Sequence, residues 1–274
     1  MARISPSQGG DPCSIHGPSI QRFKYLNKKI RYMRNKNFFY LQYDKINWEN
    51  QEKTKINSFV NNFTIKEIIS KKRDNSIKIF DIGFGIGFFI KMLYHELTKS
   101  YGNIVIEGCE PSLKNYDYFV KKKPLSVRKG TKLKAYNKTF LEVQTNERFD
   151  FITAIYVFPH FASDELETTA KKIYSMLNEE GKFILVVANE KYLKEKLRDK
   201  RDLFIEKNMI YLDGKNYEEV LHYSDIPKIG KVIDYNREER FYIDLFEKNN
   251  FKLNDKKDLN DSGFICTVFI FEKR

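Results

Sequence analysis

One segment constrains this chain more than any other: Ile77-Lys78-Ile79-Phe80-Asp81-Ile82-Gly83-Phe84-Gly85-Ile86-Gly87. An apolar strand pattern over 77–82 runs into alternating glycines, and a helical pattern over 87–97 follows at once. Glycine carries no Cβ, so the backbone at such a turn can reverse sharply and approach a ligand closely. The helix beyond it aims free N–H groups and the positive end of its dipole at the same place. With a strand before and a helix after, the motif stands in the context that marks a nucleotide site rather than a plain tight turn.

Strand and helix patterns continue to alternate. Strands are expected over 104–109, within 132–136, over 149–156 and over 182–187, with helices over 112–121 and 164–177. Such alternation requires right-handed crossovers and a parallel sheet. The helix over 164–177 is expected to stop at Asn178-Glu179-Glu180-Gly181, with Gly181 in the left-handed conformation. The tail differs. A helix over 237–248 precedes strands over 251–259 and 264–271, and the four residues Asn260-Asp261-Ser262-Gly263 between them are too few for a parallel crossover. The expected fold is therefore α/β: a doubly wound, seven-stranded, mostly parallel sheet closed by a C-terminal antiparallel hairpin.

Two further parts flank that sheet. Residues 1–18, rich in Gly, Pro and Ser, read as a flexible leader, and 19–72 as an N-terminal helical segment. This segment holds a basic helix over 20–35, an aromatic stretch at 38–43 and a helix over 51–71. The last of these places Ile56, Phe59, Val60, Phe63 and Ile68 at helical spacing. The remainder, 73–274, forms the main domain. It carries an insertion over 189–236 that the sheet does not need, read as a lid because extra segments at the carboxyl ends of parallel strands usually cover the ligand crevice.

Composition excludes several classes. Of 274 residues, 41% are hydrophobic and 31% charged, which fits a globular protein. No apolar run approaches the roughly 18 residues that span a bilayer, so no membrane partner is expected. Cys13, Cys109 and Cys266 are too few and too scattered for a disulfide framework or a zinc site; Cys109 and Cys266 lie in apolar strand patterns and read as buried thiols, and a cytoplasmic protein is expected. No metal-ligand cluster is apparent. The net charge of +12 leaves two readings open: lysine-rich composition spread over solvated faces, or a surface for a polyanion such as RNA. The densest basic cluster, Lys121-Lys122-Lys123 with Arg128 and Lys129, is short.

Spacing separates two cofactor classes. A dinucleotide fingerprint beginning at Gly83 needs glycine at 88, where this chain has Phe88. The pattern is instead D-x-G-x-G-x-G, with Asp81 at the strand end. Glu110 stands at the tip of the next strand, 23 residues after Gly87, and is followed by Pro111 and a capping Ser112. An acid at that tip can accept hydrogen bonds from both ribose hydroxyls. A third motif runs Arg148-Phe149-Asp150-Phe151-Ile152 and on to Tyr156-Val157-Phe158-Pro159-His160.

Together these motifs, over about 77–188, resemble the class I (Rossmann-like) S-adenosylmethionine-dependent methyltransferases of small-molecule type. The resemblance implies S-adenosylmethionine as cofactor, held by Asp81, Gly83, Phe84, Gly85, Gly87, Glu110, Pro111 and Tyr156. It also implies an adenine site near Thr139 and Phe140, where many relatives carry an acid. Asp150, at the start of its strand, reads as structural or weakly cofactor-linked rather than catalytic. The turn after the fourth strand is not the N-P-P-Y type of base-modifying relatives, and no cysteine reads as a nucleophile for pyrimidine methylation. The expected partner is thus a small-molecule acceptor, a metabolite or sugar, methylated on O or N. RNA methylation and a non-catalytic nucleotide-binding scaffold are the alternatives, and the oligomeric state stays open. His160 is the first candidate for a general base and His222 the second, although a turn histidine can equally well shape a pocket. Tyr40 or Tyr43 could close over the cofactor, with core packing as the plainer role.

Overall fold

The computed structural model describes residues 42–274, apart from 47, 55–56, 71–74, 123, 227, 229 and 262. The leader, the helix over 20–35, Tyr40 and Cys13 lie outside the described residues. In chain order the main elements are α1 (Asn50–Thr54), α2 (Ser58–Ile69), β1 (Ser76–Ile82), α3 (Phe88–Leu97), β2 (Asn103–Cys109), α4 (Leu113–Asp117), β3 (Thr131–Tyr136), β4 (Phe149–Ile155), α5 (Leu166–Met176) and β5 (Leu177–Ala188). They continue with α6 (Glu190–Asp199), β6 (Phe204–Leu212), β7 (Lys215–Ile226), β8 (Gly230–Arg237), α7 (Glu239–Lys248), β9 (Phe251–Asp261) and β10 (Phe264–Lys273).

Seven strands form the main sheet in the order β3-β2-β1-β4-β5-β10-β9. β10 pairs antiparallel with β5 and β9, while the pairs from β3 to β5 are parallel. Alternation along β1 explains the two layers, because successive side chains point to opposite faces. Ile77 and Ile79 join a cluster with Val60 and Ile68 of α2 and with Ile90 and Leu93 of α3. Phe80 and Ile82 face the other way, onto Ala170 and Ile173 of α5 and Leu245 and Phe246 of α7.

The insertion is a folded unit. β6, β7 and β8 make a second, antiparallel sheet. Asp213 and Gly214 join β6 to β7 with φ of 51° and 80°, both left-handed as in a two-residue hairpin turn of type I′. Leu212 and Tyr217 from this unit pack into the core cluster of the main sheet.

Several expectations need correction. The helix expected over 51–71 divides into α1 and α2, with Asn57 between them at φ 68°. Phe59 lies outside its apolar face, 53% exposed. The helix expected over 112–121 ends at Asp117 and continues as one π-helical turn over 118–122. β4 stops at Ile155, since Tyr156 is already left-handed at φ 58°. Helix α5 ends at Met176, and Gly181 lies inside β5 without a positive φ. A Cβ at Gly181 would sit 2.9 Å from the carbonyl oxygens of Asn178 and Phe149, so close strand approach demands the glycine and no helix cap is involved. Arg237 ends β8 and does not start the helix that follows. No helix among the described residues is long and apolar enough to cross a membrane.

Candidate active site

β1, β2 and β4 finish side by side beneath a cavity of about 1010 Å³. Asp81 opposes Thr153 in the parallel register, and the Thr153 hydroxyl donates to Asp81 Oδ1 at 2.6 Å. Burial pushes the Asp81 carboxyl up to about 7, against the Thr153 hydrogen bond and with the help of the Glu110 charge. Glu110 follows β2. Its Oε2 accepts from Gly85 N–H at 2.9 Å and its Oε1 from Ser112 N–H at 2.8 Å. Burial pushes Glu110 up to about 7 too, although those two N–H groups, a nearby His160 and Asn115 all pull it down. Two buried carboxylates with lone pairs to spare face one cavity, and they call for hydrogen-bond donors or positive charge.

The glycines divide the labour. Gly85 has φ 56°, and a Cβ there would meet no atom within 4 Å, because the residue opens on the cavity. Gly87 has φ 76° and points elsewhere: its Cβ would lie 2.0 Å from the Phe119 ring. It lets α3 start close against the core. Gly83, Phe84, Pro111 and Tyr156 also line the cavity.

The opposite walls come from outside the motif-bearing strands. The turn Phe158-Pro159-His160 follows β4, and both nitrogens of His160 face partners. Nδ1 lies 3.1 Å from Asp234 Oδ1 of β8, while Nε2 contacts the hydroxyl of Tyr43. His222 opposes Asp234 in the β7–β8 register and lines the same cavity. Burial lowers the His222 pKa, with Asp234 acting the other way, and so favours its neutral form. Asp234 is held below the usual carboxylate range: burial raises it, but His160, His222 and Ser224 outweigh that.

Residues 48–225, more than half of the chain, match the family described as "Methyltransferase domain". The chain belongs to that family. It is an S-adenosylmethionine-dependent methyltransferase with the class I fold. No curated protein matches the sequence. Among solved structures, magnesium protoporphyrin IX methyltransferase from Synechocystis PCC 6803, with bound SAM, is similar at a TM-score of 0.55 and 10% identity. That match covers 96% of this chain and all of the other. The glycopeptide N-methyltransferase MtfA, complexed with S-adenosylmethionine, gives a TM-score of 0.54 at 13% identity over 77% of this chain and 93% of its own. A SAM-dependent methyltransferase from Methanosarcina mazei gives 0.53 at 16% identity, over 75% and 96% respectively.

The methyltransferase thus brings Asp81, Gly83, Phe84, Gly85, Glu110, Pro111, Tyr156, His160 and His222 to one cavity. Gly87 stands behind it. Thr139 and Phe140 do not reach it: the Thr139 hydroxyl donates to Glu142 at 2.8 Å, and Phe140 is buried against Phe80 at 5.7 Å between ring centres. Asp150, expected in a structural or a weak cofactor role, accepts from Lys78 N–H at 2.8 Å and from the Asn178 amide at 2.7 Å, which is a structural role. Cys109 and Cys266 are buried free thiols, and burial pushes the Cys109 thiol far up. Sequence reasoning missed Asp234 altogether.

Proposed function

We propose that this methyltransferase methylates an oxygen or nitrogen of a small molecule bound in the cavity, with His160 as general base. Asp81 and the turn Gly83-Phe84-Gly85 would hold the amino-acid portion of the cofactor, Glu110 and Pro111 its ribose, and Tyr156 would flank it. S-adenosylmethionine supplies a methyl group already activated on a sulfonium, so the protein needs no covalent nucleophile. Its task is to align the acceptor and remove a proton.

The observation that carries this reading is the placement of His160 between Asp234 and Tyr43 on the cavity wall. An ionised Asp234, 3.1 Å from Nδ1, would stabilise the imidazolium by its charge, as the acid of a catalytic triad does. Tyr43 occupies Nε2, so the acceptor's proton passes to the Tyr43 oxygen as the Tyr43 proton passes to Nε2. Part of the basic cluster is engaged within the chain, which favours a small-molecule acceptor over RNA: Lys121 pairs with Asp117 at 2.9 Å, Lys122 with Glu49 at 3.2 Å, and Arg128 bonds the Thr98 carbonyl at 3.0 Å.

Calorimetric titration with S-adenosylmethionine and S-adenosylhomocysteine, with NAD as control, tests the cofactor residues. Asp81→Ala and Glu110→Ala should each weaken binding at least about tenfold. Turnover on a metabolite panel, read as S-adenosylhomocysteine release, tests the base. His160→Gln should lower kcat by about 10²–10⁴ without weakening S-adenosylhomocysteine. Full activity in that variant would refute the role of His160.

A further inference from the structure

Helix α6 leaves the end of β5 and turns one stripe toward the cavity. Tyr192, Lys196 and Lys200, at successive i,i+4 positions, all line it. Leu193 and Leu197 bury against Leu203 and Val220 and so fix the rotation of the helix. The direction of Lys196 is therefore set by packing.

Lys196 is half-buried. Among the described residues its ammonium has no carboxylate partner, and it lies 5.9 Å from the centre of the Tyr192 ring. Burial and the Lys200 charge push the Lys196 ammonium below its usual range, while Asp225 and Asp234 act against that shift. Elsewhere the same helix neutralises its charge, since Lys194 pairs with Glu190 at 2.7 Å. The Lys200 charge repels Lys196 from just beyond the helix end, and a half-buried cation without a carboxylate partner loses hydration that the Tyr192 ring and the Asp225 and Asp234 charges only partly offset. Lys228 and Lys231 add two exposed cations to the cavity rim, where Asp202 and Asp225 are the exposed acids. From the glycine turn toward Lys196 runs an aromatic series. Tyr156 meets Phe264 edge-to-face at 5.8 Å, and Phe264 meets Tyr192 at 5.3 Å.

We propose that Lys196, assisted by Lys200, binds an acidic group of the methyl acceptor, so that the acceptor is an organic anion with a flat apolar body. This inference rests on the reading that the cavity takes a small-molecule acceptor. A carboxylate and a phosphate monoester share the required chemistry. Either would relieve the repulsion between the two lysines and restore the lost solvation of Lys196.

The test is calorimetry on the full chain, with and without S-adenosylhomocysteine, using 4-hydroxybenzoate, phenyl phosphate and the neutral analogue 4-hydroxybenzamide. At least one anion should bind about tenfold tighter than the amide. Lys196→Met should abolish that preference while leaving S-adenosylhomocysteine affinity within about twofold, and Lys194→Met on the same helix should change neither. The ratio of carboxylate to phosphate affinity names the acidic group. Equal binding of amide and anions, undiminished anion binding by Lys196→Met, or no anion binding at all overturns the proposal. Anion binding that depends on Lys196 in a protein that ignores S-adenosylhomocysteine would leave this site standing and remove the cofactor assignment instead.

Discussion

Arg237 Nε lies 2.6 Å from Glu219 Oε2, joining β8 to β7 with both side chains shut away from solvent. The same guanidinium donates to the carbonyl oxygens of Phe158 at 3.1 Å and Phe161 at 2.8 Å. Those carbonyls bracket His160, so one buried cation ties the second sheet to the turn that carries the proposed base.

Arg237→Met should therefore destabilise the protein by about 3–5 kcal/mol, because it leaves the buried Glu219 without its counterion and with only the Ser163 hydroxyl donating to it. Urea unfolding should show a lower midpoint with an unchanged slope. The double variant Arg237→Met with Glu219→Met should recover part of the loss, since an apolar pair tolerates burial. A midpoint equal to that of wild type in the single variant would contradict the structural role of the pair.

Asp81 and Glu110 give the apoprotein an unusual pH dependence. Both carboxyls sit near 7 in the folded state, against 3.8 and 4.5 unfolded. The folded state thus holds protons that the unfolded state has lost. Their contribution to stability is complete below about 4 and disappears as pH rises through about 7, at up to roughly 1.4 kcal/mol per pH unit for each group. Urea midpoints measured from pH 4.5 to 8 should fall accordingly, and Asp81→Asn should flatten the curve. The amino group of S-adenosylhomocysteine favours ionised Asp81, so its binding at pH 6 should release protons. Titration in two buffers of different ionisation enthalpy checks this, and proton uptake would contradict it.

Two glycines of one motif should fail in different ways. Gly87→Ala meets both a left-handed backbone and the Phe119 ring, and should cost more than about 2 kcal/mol of stability. Gly85→Ala meets only the backbone, at about 1 kcal/mol, but puts its methyl into the cavity. Thermal unfolding and S-adenosylhomocysteine titration of both variants should show Gly87→Ala as the less stable. Gly85→Ala should be the weaker binder, by about tenfold or more.

Asp234→Asn should keep cofactor affinity and lower kcat at least about 10²-fold, because the neutral amide does not stabilise the His160 cation. Tyr43→Phe should act in the same direction. Steady-state kinetics that show a higher KM with kcat unchanged would assign both residues to acceptor binding instead.

The sheet and its cofactor edge were readable because a two-residue period and a strand–glycine–helix turn are local signals. Ile77, Ile79, Phe80 and Ile82 specify a strand covered on both faces, and Asp81 and Glu110 then fall at adjacent strand ends. Asp234 was not readable in that way. It meets His160, which in turn meets Tyr43, across long sequence separations, and no spacing rule connects the three. Two overlooked signals were local all the same. Asp213-Gly214 is a strong hairpin cue, and it would have turned a featureless insertion into paired strands. Thr139-Phe140-Leu141-Glu142 fits the T-x-x-E capping box, which commits the Thr139 hydroxyl to its own turn and not to the cavity.

The antiparallel register of β7 and β8 works as a ruler. Ile226 opposes Gly230, and four residues on His222 opposes Asp234. Side chains alternate faces along a strand, so inserting or deleting one residue between Gly230 and Asp234 would deliver Ile233 or Tyr235 to the position facing His160. Point substitutions along this stretch leave the frame intact, whereas a change of length breaks it. Among natural or engineered variants, the segment from Gly230 to Asp234 should tolerate changes of composition far better than changes of count.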